Sequence, residues 1–223
     1  MRLVVVNGEP GATPEARSLA DRLAVSTRSR VARRGEALDV VTIELRDVAH
    51  DIGDASLTGQ AAPALRTHLD TVRGADGLIV VTPTLHASYS GLFKSFFDLL
   101  EADALADKPT LPAATGADPR HALVLESALR PLLARLGAHT VPTGVYATPA
   151  DRAADGDTGE ELAARTHRAT NQLAALMVTS RMDGFMPEPG AAADDTHLTE
   201  SDLVPFERQL AALRGDEPTH THH

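Results

Sequence analysis

GLIVVTPT, residues 77–84, has no polar residue before Thr82, so its apolar side chains fall on both faces of an extended chain. A strand buried on both faces belongs inside a parallel sheet covered by helices, and this run is expected at its centre. Upstream, Leu65, His68, Leu69 and Val72 recur at helical spacing and stop near Gly74, while DVVTIEL (39–45) reads as a strand. RLVVVN (2–7) is a β-branched run ended by Gly8; a helix follows from about Pro14 to Arg34, with Ala16, Leu19, Ala20 and Leu23 on one face. Downstream, GLFKSFFDLLEA (91–102) is helical, and HALVLESALRPLLARLG (121–137) is a helix with a kink implied at Pro131 and a stop at Gly137.

Two strands remain. KPTLPAATG (108–116) is placed as the fourth from its position, because Pro109 and Pro112 cannot donate ladder hydrogen bonds, and TVPTGVYAT (140–148) is the fifth, set at a sheet edge by Pro142. Strands alternating with helices predict an α/β class: a flavodoxin-like, doubly wound parallel five-stranded sheet in the order 2-1-3-4-5, with helices on both faces. Residues 1–180 are expected to form this domain, with RAADGDTGEE (152–161) as a solvated acidic linker and an Ala- and Leu-rich helix at about 160–180 covering the sheet. Residues 181–223 read as a C-terminal extension, flexible in composition, with a short helix near 200–213 opened by Thr199 and Asp202 in capping-box spacing.

The 223 residues include no Cys and carry a formal net charge of −10. That excludes a disulfide framework or thiolate metal site and argues against nucleic acid, whose affinity comes mainly from Lys and Arg on phosphates. Runs such as LVVV and LIVV are too short to span a membrane, and no basic, then apolar, leader opens the chain, so a cytoplasmic protein without membrane contact is expected. The ten histidines show neither H-E-x-x-H nor a helical pair, so no metal is expected. The basic run Arg28, Arg30, Arg33 and Arg34 is explained by the dipole at the end of the first helix.

In such a sheet ligands bind beyond the carboxyl ends of the strands, where the strand order reverses. Three loops meet there: 7–17, 82–91 and 115–121. The first has neither G-x-G-x-x-G nor G-K-[ST], yet a helix N-terminus with the Thr13 hydroxyl and the Arg17 guanidinium can hold a phosphate; a capped loop with a solvated Arg is the alternative. In the second, Pro83 fixes the strand exit, Ser88 and Ser90 cap the next helix, Gly91 allows close approach and Tyr89 offers a flat face.

TPTLHASYSGLFKSFFD (82–98), the ATGADPRH loop (114–121) and the ALRPL helix (128–132) together resemble NAD(P)H-dependent FMN reductases of flavodoxin-like fold, in particular the subgroup paired with luciferase-like flavin monooxygenases. The resemblance implies a phosphate loop at Thr13 and Arg17, a ring-binding loop at Pro83, Thr84, Leu85, His86, Ser88 and Tyr89, and a third loop at Thr115, Gly116, Ala117 and Asp118. Glu15 departs from the serines usual in that loop, and Ala117 stands where relatives often have Gly. The implied reaction is hydride transfer from C4 of NADPH or NADH to N5 of FMN, with no side-chain acid or base, and reduced FMN passing to a monooxygenase. It also implies a homo-oligomer, dimer or tetramer, for which Phe93, Phe96 and Phe97 are read as surplus apolar surface. His121 is either solvated or a cofactor contact. The alternatives are a quinone or azo-dye reductase with bound FMN and, from another class, a non-enzymatic flavodoxin-type electron carrier. Against a carrier stand the absence of Trp and the presence of only two Tyr.

Overall fold

A computed structural model describes residues 1–11, 14–153 and 157–183. In chain order the strands are β1 (Arg2–Asn7), β2 (Asp39–Glu44), β3 (Gly77–Leu85), β4 (Ser88–Tyr89), β5 (Pro109–Thr115), β6 (His139–Thr140) and β7 (Val145–Ala147). The helices are α1 (Glu15–Ala32), α2 (Ala49–Thr58), α3 (Pro63–Arg73), α4 (Gly91–Asp98), α5 (Arg130–Arg135), α6 (Pro149–Ala153) and α7 (Asp157–Asp183). The sheet order is β2-β1-β3-β5, with β6 and β7 both pairing β5 in parallel. This is the 2-1-3-4-5 order, the fifth strand being broken in two, and the fold is flavodoxin-like.

The break explains how two prolines fit an interior strand. Val141 N–H donates to Thr110 O at 2.9 Å and Gly116 N–H to Ala147 O at 3.1 Å, so the even-numbered residues of this stretch face the fifth strand. Pro112 therefore turns its missing donor toward the gap between Thr140 and Val145, where no ladder bond is asked of it. Pro109 opens β5, where a donor is also dispensable.

Alternation along β1 and β3 divides the core in two. Val4, Val6, Leu78 and Val80 pack with residues of α2, α3, α4 and α5 on one face, while Leu3, Val5, Ile79 and Val81 pack with α1 and α7 on the other. Each such side chain contributes about 1.5–3 kcal/mol by leaving water. The acidic stretch 152–161 is not a plain linker: α6 ends and α7 starts within it, on either side of residues 154–156, which lie outside the described residues. The extension helix near 200–213 also lies outside them. Among the described residues no helix is long and apolar enough to cross a membrane.

Three expectations need correction. The helix placed at 91–102 ends at Asp98. That placed at 121–137 is a 3-10 turn (Pro119–Leu123), a π turn (Leu125–Leu129) and α5, whose Pro131 sits in the first turn; the wider π turn absorbs the missing donor where a kink was anticipated. Finally, Phe93, Phe96 and Phe97 are 0%, 0% and 1% exposed within a single chain. Helix α4 touches α2 and the 3-10 turn Leu45–Val48 and shares a core with Val80, so these three rings are interior to one chain and are not surplus apolar surface.

Candidate flavin site

The three loops do meet at the carboxyl edge of the sheet. Gly8 N–H donates to Val81 O at 2.7 Å, bringing the exit of β1 onto β3. Ser90, fully buried, binds them further: its Oγ donates to Gly8 O at 2.6 Å and accepts from Phe93 N–H at 3.2 Å, while its own N–H donates to Thr82 Oγ1 at 3.0 Å. The N-cap of α4 is thus Ser90 alone, and Ser88 belongs to β4. Gly8 is required for this approach, because a Cβ there would come within 2.7 Å of the Phe93 ring.

The ring-binding stretch is not an open loop. Thr84 pairs with Tyr89 and Leu85 with Ser88 across a two-residue hairpin whose tip, His86 (φ 48°) and Ala87 (φ 63°), is left-handed without glycine. Non-glycine residues there cost of order 1 kcal/mol each, and strained tips of this kind cluster at ligand clamps. Pro83 is buried, whereas Leu85, His86 and Ala87 are exposed at the rim.

The third loop rests on Tyr146, a residue that the sequence reading did not single out. It is 3% exposed at the end of the sheet, in β7, and its hydroxyl donates to Asp118 O at 2.9 Å. A Cβ at Gly116 would overlap that hydroxyl and lie 3.3 Å from Thr84 Cβ, so glycine lets the second and third loops close on each other. Burial raises the Tyr146 phenol above its ordinary value. The Thr84 hydroxyl lies close enough to influence that phenol but not in hydrogen-bonding geometry, and its Oγ1 is buried without a partner. In the sequence its only mark is its place in the last strand, near the carboxyl end.

Asp118 caps the 3-10 turn by accepting Arg120 N–H at 2.9 Å and the Arg120 guanidinium at 2.6 Å. The Arg120 guanidinium and N–H hold its carboxyl down at about 2. Because the folded value is depressed, the cap is present above the ordinary carboxylate range and lost as pH falls through the folded value. The Arg120 amide resonance is expected to hold its position from neutral pH to about 3 and to move with a midpoint near 2; a midpoint near 4 contradicts the capped geometry.

The residues fit a flavin ring. Among the described residues the N–H groups of exposed Ala117 and half-buried Asp118 donate to no protein acceptor, which leaves them open to a ligand on the edge that also carries the Thr84–Tyr89 strand pair. The phosphate end is different. Thr13 lies outside the described residues. Arg17 is exposed and paired with carboxylates, its Nε donating to Asp21 at 3.0 and 3.1 Å and its Nη1 to Glu44 Oε1 at 2.6 Å. No cluster of three His, Asp or Glu able to hold a metal occurs among the described residues.

A family model described as NADPH-dependent FMN reductase matches residues 1–153. The chain belongs to that family. It is accordingly an NAD(P)H-dependent oxidoreductase whose cofactors are FMN and a nicotinamide nucleotide. The reductase is 42% identical over 157 residues to an FMN reductase (NADPH) of Pseudomonas aeruginosa, covering 70% of this chain and 84% of that protein. It is 47% identical over 138 residues to the NADH-dependent FMN reductase SfnF of Pseudomonas fluorescens, covering 61% and 73%. Among solved structures, an oxidoreductase from Corynebacterium diphtheriae is 43% identical with a TM-score of 0.76, covering 80% of this chain and 98% of that one.

Proposed function

We propose that the reductase binds FMN with the isoalloxazine between the hairpin at Pro83, Thr84, Leu85, His86, Ser88 and Tyr89 and the loop at Thr115, Gly116, Ala117 and Asp118, its phosphate toward Thr13, Arg17 and the start of α1, and that it supplies reduced FMN to a flavin monooxygenase. The observation that carries the ring placement is that the N–H groups of Ala117 and Asp118, at the solvent-facing tip of the third loop, donate to no protein acceptor among the described residues. The flavin supplies the hydride-accepting chemistry. The chain's work is to place donors where charge develops on reduction, to cover one ring face with Tyr89 and Pro83, and to leave the other open for nicotinamide at about 3–3.5 Å.

Delivery to a monooxygenase is proposed from the likeness of residues 82–98, 114–121 and 128–132 to the subgroup paired with flavin monooxygenases, and the cytoplasm is the compartment proposed for it. A homo-oligomer is also proposed, because a groove of about 620 Å³ between α4 and α5, lined by Tyr89, Lys94, Pro131, Leu132 and Arg135, lies open on one chain.

Oxidation of NADPH and NADH, followed at 340 nm with and without added FMN, tests the function. Wild type is expected to turn over only with flavin present. Ala117→Pro, which removes one ring donor, is expected to lower flavin affinity about tenfold in a folded protein. Unchanged affinity and turnover in Ala117→Pro would remove the ring from this edge.

A further inference from the structure

At the proposed phosphate end, the Gly11 N–H and the Arg17 guanidinium are already taken by the protein's own carboxylates. Glu9, on the loop leaving β1, is only 7% exposed, and its Oε1 accepts the Gly11 N–H at 3.3 Å. Its N–H donates to Asn7 Oδ1 at 3.2 Å, and Asn7 Nδ2 donates to Glu44 Oε2 at 2.8 Å. Glu44, its side chain 11% exposed, spends its other oxygen on Arg17, whose remaining contact is Asp21. A chain of interactions from Gly11 through Glu9, Asn7 and Glu44 to Arg17 is therefore closed without any ligand. A phosphate seated on Gly11 N–H and Arg17 would take a backbone donor from one carboxylate and a guanidinium from two others, and beside this loop it meets the charge of a buried Glu9, where screening by solvent is weak.

We propose that Glu9 is a specificity-determining residue that suppresses recognition of the flavin phosphate. The reductase then takes flavin by its ring, separates FMN from riboflavin weakly and lets FMN leave as a substrate. This rests on the reading that flavin occupies the strand edge. Among the described residues no other carboxylate both lies on the β1–α1 loop and accepts one of its backbone N–H groups. Gln at position 9 keeps the acceptor for Gly11 N–H and removes only the charge; Ala frees the donor as well.

The test is quenching of flavin fluorescence, with FMN and riboflavin as the probes, on full-length wild type, Glu9→Gln and Glu9→Ala. The ratio of riboflavin Kd to FMN Kd is expected to be below about 5 in wild type and to rise about tenfold in Glu9→Gln, the riboflavin Kd moving less than about twofold. Glu9→Ala, checked for its fold by circular dichroism, is expected to change the ratio in the same direction. A wild-type ratio above about 50, or a ratio unmoved in both variants while both flavins still bind, overturns the role of Glu9 and leaves the ring site standing. Failure of wild type to bind either flavin overturns the site itself and the role of Glu9 with it.

Discussion

Gly116→Ala is expected to lower FMN turnover by about two orders of magnitude and unfolding free energy by about 1–3 kcal/mol, because the added methyl overlaps the Tyr146 hydroxyl in a closely packed corner. Both effects have one cause, so they should be coupled. Tyr146→Phe alone removes the hydrogen bond to Asp118 O, a loss of about 1 kcal/mol. It also removes the oxygen that the methyl would strike. The remaining ring carbon at 3.1 Å and Thr84 Cβ at 3.3 Å are tight but yielding contacts, so Gly116→Ala should cost less when combined with Tyr146→Phe. Chemical denaturation of the four proteins in the cycle is expected to give a coupling of about 1–2 kcal/mol, and strict additivity would separate the two residues.

Phe93→Ala is the most destabilising single change expected, about 3–5 kcal/mol in unfolding free energy. Phe93 is 0% exposed, lies 4.6 Å from the Phe97 ring centroid and 5.8 Å from that of Tyr89, and bounds the space that Gly8 leaves open. The loss should be independent of protein concentration, with unchanged molecular mass in light scattering, because these rings are interior to one chain. A concentration-dependent loss with a drop in mass would return the α4 phenylalanines to a subunit interface.

The sheet was readable because its strands are apolar runs of the right length between helical periods, and GLIVVTPT alone placed the centre. What stayed hidden depended on partners remote in sequence. Pro112 looks incompatible with an interior strand until the interruption of the neighbouring strand between Thr140 and Val145 is known. The hairpin tip at His86 and Ala87 carries no Gly or Asn, so the turn chemistry gave no warning of it. The aromatic arc of α4 suggested an interface because periodicity counts one covering layer, whereas this helix is covered by more than one. At the site, the residue types of the ring loops were legible, but the Tyr146 strut and the carboxylate chain behind Arg17 arise only when β7 and β2 are brought beside them.

The central claim is that the flavin ring lies on the Ala117 and Asp118 N–H groups, and backbone amide chemical shifts of uniformly 15N-labelled reductase titrated with FMN test it most directly. The Ala117 and Asp118 amide protons are expected to move downfield with the largest displacements in the spectrum, accompanied by the 84–89 hairpin. Displacements concentrated along the α1–α7 groove at Arg22, Arg30 and His167, with Ala117 and Asp118 unmoved, would contradict the account.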